Sequence, residues 1–407
     1  MKAINLAYKF KLLPTQSQIL VFESWAGTCR FLYNLCLEHR ILSWNQYRKS
    51  FNYYDQANEL KNLKKVDGFE WIKDSPAQIL QQSLKDLDKA FKSFWTSGFG
   101  FPRYKKKNIS DSFRFPDAKQ FSVRKVNRKK AFVKLPKIGE VFFRLSRPII
   151  GKIKNATIKK EVDGWYISFC CEKEISETKN KLPSCGIDRG ISETLKISAA
   201  EDEFKNIELT LPKKCQEIRE RIKVLQRRLR LKKKFSQKWK QIQKKIRKLH
   251  SKITHLRYDF LHKASTYIAK NHGYVSLEDL KIKNMSKSAK GTIKEPGTNV
   301  AAKSGLNREI LFQGWGIFAL QLKYKLDWSG GHLELVNPKY TSTRCSKCLY
   351  NDKANRKLKK FKCLNCGFEE DADKNAAINI NRSGRDQSGH GDVRISEISE
   401  VATSIVQ

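Results

Sequence analysis

Four of the ten cysteines stand in a pattern that could hold a metal ion: Cys345-x-x-Cys348 and, after fourteen intervening residues, Cys363-x-x-Cys366. Each pair presents two thiolates from a tight turn. Four soft ligands complete a tetrahedral Zn2+ site with no position left for water, so one such zinc is structural. The alternative, two disulfides, belongs to oxidising compartments. Three acidic residues stand in contexts that solvation does not explain. Asp188 follows an apolar approach in CGIDRGISETLKIS, Glu278 ends the apolar run of YVSLEDLKI, and Asp373 lies in EEDADKNAAINI, before small residues that suit a helix pressed onto a sheet. Converging carboxylates can hold two divalent cations, expected to be Mg2+, beside a phosphodiester: one ion lowers the pKa of an attacking water and the other stabilises the leaving oxygen. Taken singly, an Asp at a strand end or helix start is more often a cap or turn former. Asp371 competes with Asp373 for the third place, as a ligand or only an N-cap. Asp279 falls on the face opposite Glu278 if that stretch is a strand.

The elements that must position these residues can be read from periodicity. Residues 1 to 12 alternate apolar and polar, which predicts a strand ended by Pro14; from Gln16 to Phe94 the spacing becomes helical. After the basic loop GFGFPRYKKK, short β-like runs follow at Ala131 to Leu135, Val141 to Leu145, Ala156 to Lys160 and Trp165 to Cys171. A β-barrel interrupted by a helical insertion is the expected architecture. From Glu217 to Phe260 apolar residues recur at steps of four and three with a break after Leu229, predicting two antiparallel helices joined near Lys232 to Lys234. Fifteen Lys or Arg between 217 and 250 suit either a solvated face or a phosphate backbone. Residues 286 to 306 are Gly, Ser and Lys-rich without periodicity and are expected to form a lid-like loop, and the polar tail after Arg382 is expected to be loose.

Lys and Arg total 82 against 41 Asp and Glu, a formal charge of +41 that calls for a polyanionic partner. The positive residues are interleaved with 8 Trp, 13 Tyr and 23 Phe, which points to nucleic acid. No run of about 18 apolar residues and no signal peptide is present, so the expectation is a soluble cytoplasmic protein, with the other six cysteines reduced and packed as small hydrophobes.

GIDRGI, SLEDLKIKNM, the paired CxxC motifs and DADKNAAINI, in this order, resemble the TnpB family of transposon-encoded RNA-guided nucleases, relatives of the compact type V CRISPR effectors. LLPTQSQ, QQSLKDLDKAFKSFW, GFPRYKKK, DFLHKAS, GWGIFALQLKYK and YTSTRCSKC extend the likeness over most of the chain. The resemblance implies a multidomain α/β fold. Its parts are a wedge β-barrel (1–14 and 109–178) with an inserted helical recognition domain (15–108), and a RuvC nuclease domain of RNase H fold (182–343 and 368–383). The RuvC domain carries a zinc ribbon (344–367) and is followed by a flexible tail (384–407). It implies a guide RNA from the transposon end, cleavage of double-stranded DNA beside a short adjacent motif, and action as a monomer with its RNA, in a prokaryotic cytoplasm on nucleoid DNA. The family's catalytic acids fall on Asp188, Glu278 and Asp373. Its adjacent-motif readers fall near Tyr54, Gln78 and Gln81, with Ala77 where a longer side chain could reach DNA; Arg103, Lys105 and Lys106 are the nucleic-acid contacts expected of the basic loop. Arg189 stands where the family often has an apolar or small residue, and Glu369 and Glu370 add negative charge near the third acid.

Other readings make different demands. A DDE transposase orders its acids Asp, Asp, Glu, whereas the order here is Asp, Glu, Asp. A compact CRISPR effector shares fold and chemistry and differs in its guide. A nuclease-silent, RNA-guided DNA-binding protein leaves three acids without a cation to compensate them, which is costly.

Overall fold

In the computed structural model, which describes residues 2–176, 180–191, 194–199 and 207–387, the N-terminal alternation becomes β1 (Lys2–Leu13). Thr15 then caps α1 (Gln16–Tyr47) in a capping box with Gln18, and Asn52 caps α2 (Tyr53–Leu63) in the same way with Asp55. With α3 (Ala77–Thr96) these helices bury Phe22, Leu37, Leu80, Leu84 and Leu87.

The chain returns through β2 (Ser112–Phe115), β3 (Ser122–Lys125), β4 (Lys130–Leu135), β5 (Gly139–Arg144), β6 (Lys152–Glu161) and β7 (Gly164–Ile175). With β1 they form one antiparallel sheet in the order β2-β6-β7-β1-β5-β4-β3. Its edge strands β2 and β3 are joined by only residues 116–121. Seven flat strands would hold their edges about 29 Å apart, beyond the roughly 24 Å that this link spans when extended, so the sheet curves toward a barrel. Phe10, Phe115, Phe143 and Phe169 fill its interior. The strands β2 and β3 have no counterpart in the apolar pattern, because four residues on a sheet edge carry too little alternation to register. All of this lies in one compact unit, Met1–Ser176; the second is Glu177–Gln407.

The second unit is built on five strands in the order β10-β9-β8-β11-β12: β8 (Ser184–Asp188), β9 (Leu195–Ala199), β10 (Ile207–Leu209), β11 (Tyr274–Glu278) and β12 (His332–Val336). β8, β11 and β12 are parallel, and β9 and β10 run antiparallel to their neighbours. Between β10 and β11 run α4 (Lys213–Arg230) and α5 (Gln237–Asn271), and between β11 and β12 run α6 (Ile282–Met285), α7 (Val300–Gln313) and α8 (Trp315–Trp328). Cys185, Ile187, Val275 and Leu277 pack with Leu261 and Ile268 of α5 and Phe318 and Leu322 of α8. A small sheet of β13 (Arg356–Lys357), β14 (Lys360–Lys362) and β15 (Glu369–Asp371) leads into α9 (Ala372–Gln387).

α9 covers the other side of the sheet at backbone distance. A Cβ added at Gly186 would fall 2.1 Å from the carbonyl oxygen of Ala377, and one at Gly384 would fall 2.0 Å from Ser276 Oγ. Two expectations change here. The loop spans 286–299 and not 286–306, because α7 already begins at Val300, and Lys303 and Asn307 bond back to carbonyls of Met285, Ser286 and Lys287. The tail does not begin at 384: α9 continues to Gln387, with Gly384 in the interface, while residues 388–407 lie outside the described residues. Among the described residues no helix is long and apolar enough to cross a membrane.

Candidate functional site

Strand alternation places two of the three acids together. Gly186 and Ser276 face α9, so Asp188 and Glu278, each two residues further on, take the same face. The strands are parallel neighbours with Ile187 opposite Leu277, so both carboxylates emerge side by side at the carboxyl ends of β8 and β11. Asp373 sits in the first turn of the helix packed on that face. Burial, then the charges of Glu278 and Asp373, push the Asp188 carboxyl up to about 7. A carboxyl whose ionisation is disfavoured by burial and by two neighbouring carboxylates makes a place for cations, and an all-oxygen donor set suits Mg2+.

Two of the acids are held by a neighbouring side chain. Thr341 Oγ1 donates to Glu278 Oε1 at 2.6 Å, and Arg356 Nη2 to Asp373 Oδ1 at 2.8 Å. Asp371 resolves as the N-cap of α9: its Oδ1 accepts the amides of Asp373 (3.1 Å) and Lys374 (3.0 Å) and pairs with Lys196 Nζ at 2.6 Å. Lys196 is the register partner of Asp188 on β9, so this bond ties the sheet to the start of α9. Arg189 is buried and donates through Nη2 to the Glu278 carbonyl; burial lowers its pKa to about 10, which leaves it cationic behind two acids. Asp279 pairs with Lys281, Glu369 with Lys362 and Glu370 with Lys374. Thr341, Arg356 and Lys196 carry no periodic signal, and sequence reasoning passed over them.

Cys345, Cys348, Cys363 and Cys366 do gather: their Sγ atoms all lie within 4.8 Å of one another. The Cys345–Cys366 and Cys348–Cys363 separations are 3.7 and 3.5 Å, close to the ~3.8 Å between sulfurs of a tetrahedron with Zn–S bonds of about 2.3 Å and far from a disulfide. The amides of Lys347 and Cys366 donate to Cys345 and Cys363 Sγ, and the Tyr350 amide holds the Cys348 thiol down, to about 6. This cluster could bind zinc. Among the described residues it is the one group of such donors gathered this tightly; the three carboxylates stand further apart, with Arg356 on Asp373.

The cluster and the carboxylates share α9. Buried Asn375 donates to the Arg344 carbonyl (2.8 Å) and accepts the Ser346 amide (2.9 Å), while Asn379 donates to the carbonyls of Thr341 (2.9 Å) and Arg344 (2.7 Å). The turn carrying Cys345 and the loop carrying Thr341 therefore hang from the helix that carries Asp373.

In the first unit Tyr54, Gln78 and Gln81 are exposed, as are Arg103 and Lys106. Lys105 differs. Its backbone exchanges hydrogen bonds with the Asn34 side chain and its ammonium lies 3.9 Å from the Tyr33 ring centroid, so it anchors the loop to α1.

Family models match along the chain: Cas12f1-like, TNB domain over residues 315–380, OrfB_IS605 ("Probable transposase") over 168–289, and a helix-turn-helix domain of the same family over 1–49. That last segment folds here as one strand and one long helix. The chain is 40% identical to InsQ of Escherichia coli, whose name describes an RNA-guided DNA endonuclease, covering 93% of this chain and 92% of that one. A Streptomyces pristinaespiralis protein with the same description is 28% identical over 96% and 92% of the two chains. Among solved structures, Cas12f1 with sgRNA and target DNA superposes with a TM-score of 0.57 at 15% identity over 91% of this chain and 83% of that one. The mini-RNA-guided endonuclease CRISPR-Cas_phi3 gives 0.52 at 11% over 94% and 92%. The fold is thus the multidomain α/β fold of Cas12f1, and the extent of identity to InsQ settles the lineage: this chain belongs to the TnpB family.

Proposed function

We propose that this protein is an RNA-guided DNA endonuclease of the TnpB type, in which a RuvC-type site formed by Asp188, Glu278 and Asp373 hydrolyses DNA. The observation that carries the reading is the convergence of the three acids on the α9 face of the sheet. Asp188, Glu278 and Asp373 would hold two Mg2+ ions. When bound, these supply an activated water and charge stabilisation for the leaving oxygen. The chain's own residues orient the ligands: Thr341 fixes Glu278, the Lys196–Asp371 pair fixes the start of α9, and Arg356 compensates Asp373. The curved sheet of the first unit is read as the wedge barrel, its helices as the recognition domain, and the Cys345–Cys366 segment as a structural zinc ribbon. The guide is read as an RNA from the transposon end, carried by a monomer; base pairing reads the target while protein contacts read a short adjacent motif, with Tyr54, Gln78 and Gln81 as candidate readers. The resemblance to a Cas12f1 of Sulfoacidibacillus thermotolerans, 45% identity over 71 residues, covers 17% of the chain and favours InsQ-like guidance over a CRISPR effector.

The test is to purify the protein with its native locus, sequence the RNA that accompanies it, and offer the complex Mg2+ and a plasmid carrying the matched target beside a randomised flank. Cleavage that needs the match and a short flank, and is lost in Asp188→Ala while RNA is retained, is the expected result. Binding without cutting overturns the nuclease, and absence of a discrete RNA overturns the guidance.

A further inference from the structure

The hairpin of α4 and α5 ends in a feature that phosphate binding does not explain. From residue 221 to residue 258 there are sixteen Lys or Arg and no Asp or Glu. The two helices pack through Ile218, Ile222, Ile246 and Ile253, and none of the tip residues joins that core. At the tip, Leu231 is 82% and Phe235 64% exposed, on either side of Lys232, Lys233 and Lys234. A tip built only for phosphates or for solvent has no use for two large apolar side chains.

The backbone makes the same point. Phe235 has φ +68°, a left-handed conformation that costs a non-glycine residue about 1–2 kcal/mol, and Gly or Asn would sit there more easily. The turn is braced by the Ser236 amide donating to the Lys233 carbonyl (3.1 Å) and by the Trp239 amide donating to the Ser236 hydroxyl (3.2 Å). The Phe235 ring rests edge-on against Trp239 at 5.4 Å, with the Lys234 ammonium 5.3 Å from its centroid. An aromatic ring is therefore held out at the end of a basic rod, beside three ammonium groups.

We infer that Phe235, with Leu231 beside it, stacks on an unpaired nucleobase next to a helical segment of nucleic acid, while Lys232, Lys233 and Lys234 contact the flanking phosphates. Charge complementarity selects a nucleic acid, and an intact duplex offers the ring no base face, which leaves a junction, overhang or flipped base. The inference rests on the nucleic-acid-binding reading above and adds the base contact to it.

The test uses the purified full-length chain and three probes: an RNA hairpin with a single-stranded overhang whose first unpaired base is 2-aminopurine, its DNA counterpart, and the blunt RNA hairpin. Affinity is followed by anisotropy across salt concentrations. Phe235→Ala should weaken overhang binding about 5- to 100-fold, as loss of one base–aromatic stack does. It should also relieve 2-aminopurine quenching and leave the salt slope and blunt-hairpin affinity unchanged, and Phe235→Trp should restore binding. Replacing Lys232, Lys233 and Lys234 with Ala should instead flatten the salt slope by about 2 to 3. An RNA preference assigns the base to the guide, and equal affinity for the DNA probe assigns it to a target strand. Equal binding of wild type and Phe235→Ala to the overhang, or an equal loss on the blunt probe, overturns the inference alone. Failure of the wild type to bind any probe overturns the nucleic-acid reading beneath it.

Discussion

The cysteine cluster and the carboxylate group are both fastened to α9 and are built in opposite ways. Four sulfurs come from two turns close in sequence and lie within 4.8 Å of one another, with amide donors already aimed at them. Three carboxylates come from the ends of two strands and the start of a helix, and burial, then the charges of Glu278 and Asp373, drive the Asp188 carboxyl up to about 7. One group is drawn tight enough to close around a zinc ion; the other is held more openly, with like charge across it. The comparison teaches that the two groups differ in how far their side chains are drawn in, and that α9 ties them together through the bonds of Asn375 and Asn379.

The largest test of that contrast replaces a member of each site. Asp188→Asn should lower cleavage by about 10³-fold or more, the scale on which removing one member of an interdependent catalytic set acts. The same change should raise the melting temperature of the Mg2+-free protein at neutral pH, because it removes a buried like charge. Cys363→Ser should do the reverse to stability, releasing the bound zinc and lowering the melting temperature, because metal binding is folding free energy at such a site. Its cleavage should fall as well, since Asn375 and Asn379 fasten the Cys345 turn to the helix of Asp373. Zinc stoichiometry, scanning calorimetry and single-turnover cleavage read all of these; a Cys363→Ser protein that cuts at the wild-type rate without zinc would break the link between the sites.

Next in size is the pH dependence. The Asp188 carboxyl is raised above its ordinary value near 3.8 to about 7 in the folded state, so the folded chain binds that proton more tightly than the unfolded chain does. Stability of the Mg2+-free protein should therefore fall as pH rises from about 4 to about 7 and level off above. Asp188→Asn should flatten that slope. The same proton competes with metal, so the Mg2+ concentration for half-maximal cleavage should decrease between pH 6 and pH 8. A metal requirement independent of pH would remove the argument from like charge.

How much of this was legible follows from the same difference. The cysteine pattern is local and needs no fold to be read. The acids were legible because each ends an apolar run or precedes a run of small residues, and alternation then carries Asp188 and Glu278 to the face of Gly186 and Ser276. Lys196, Thr341 and Arg356 were not, because a polar side chain that acts through one bond to a distant residue leaves no periodicity. Lys105 shows a related limit: its charge is visible in sequence, its packing on Tyr33 is not. The end of α9 reads as tail in the sequence because the residues after Arg382 are polar, whereas the missing Cβ of Gly384 is what admits Ser276.

The smallest effect tests whether orientation in the open site matters at all. Thr341→Val removes the 2.6 Å bond to Glu278 while keeping the shape of the side chain. A bond to a charged group is worth about 1.5–3 kcal/mol, so cleavage at limiting Mg2+ should drop roughly 10- to 100-fold, and saturating Mg2+ should recover most of it because the ions themselves then fix the carboxylate. Thr341→Ser should behave as wild type. If Thr341→Val loses rate equally at all Mg2+ concentrations, the hydroxyl acts on the reaction and not on the ligand, and Thr341 belongs with the catalytic groups instead of with those that hold them.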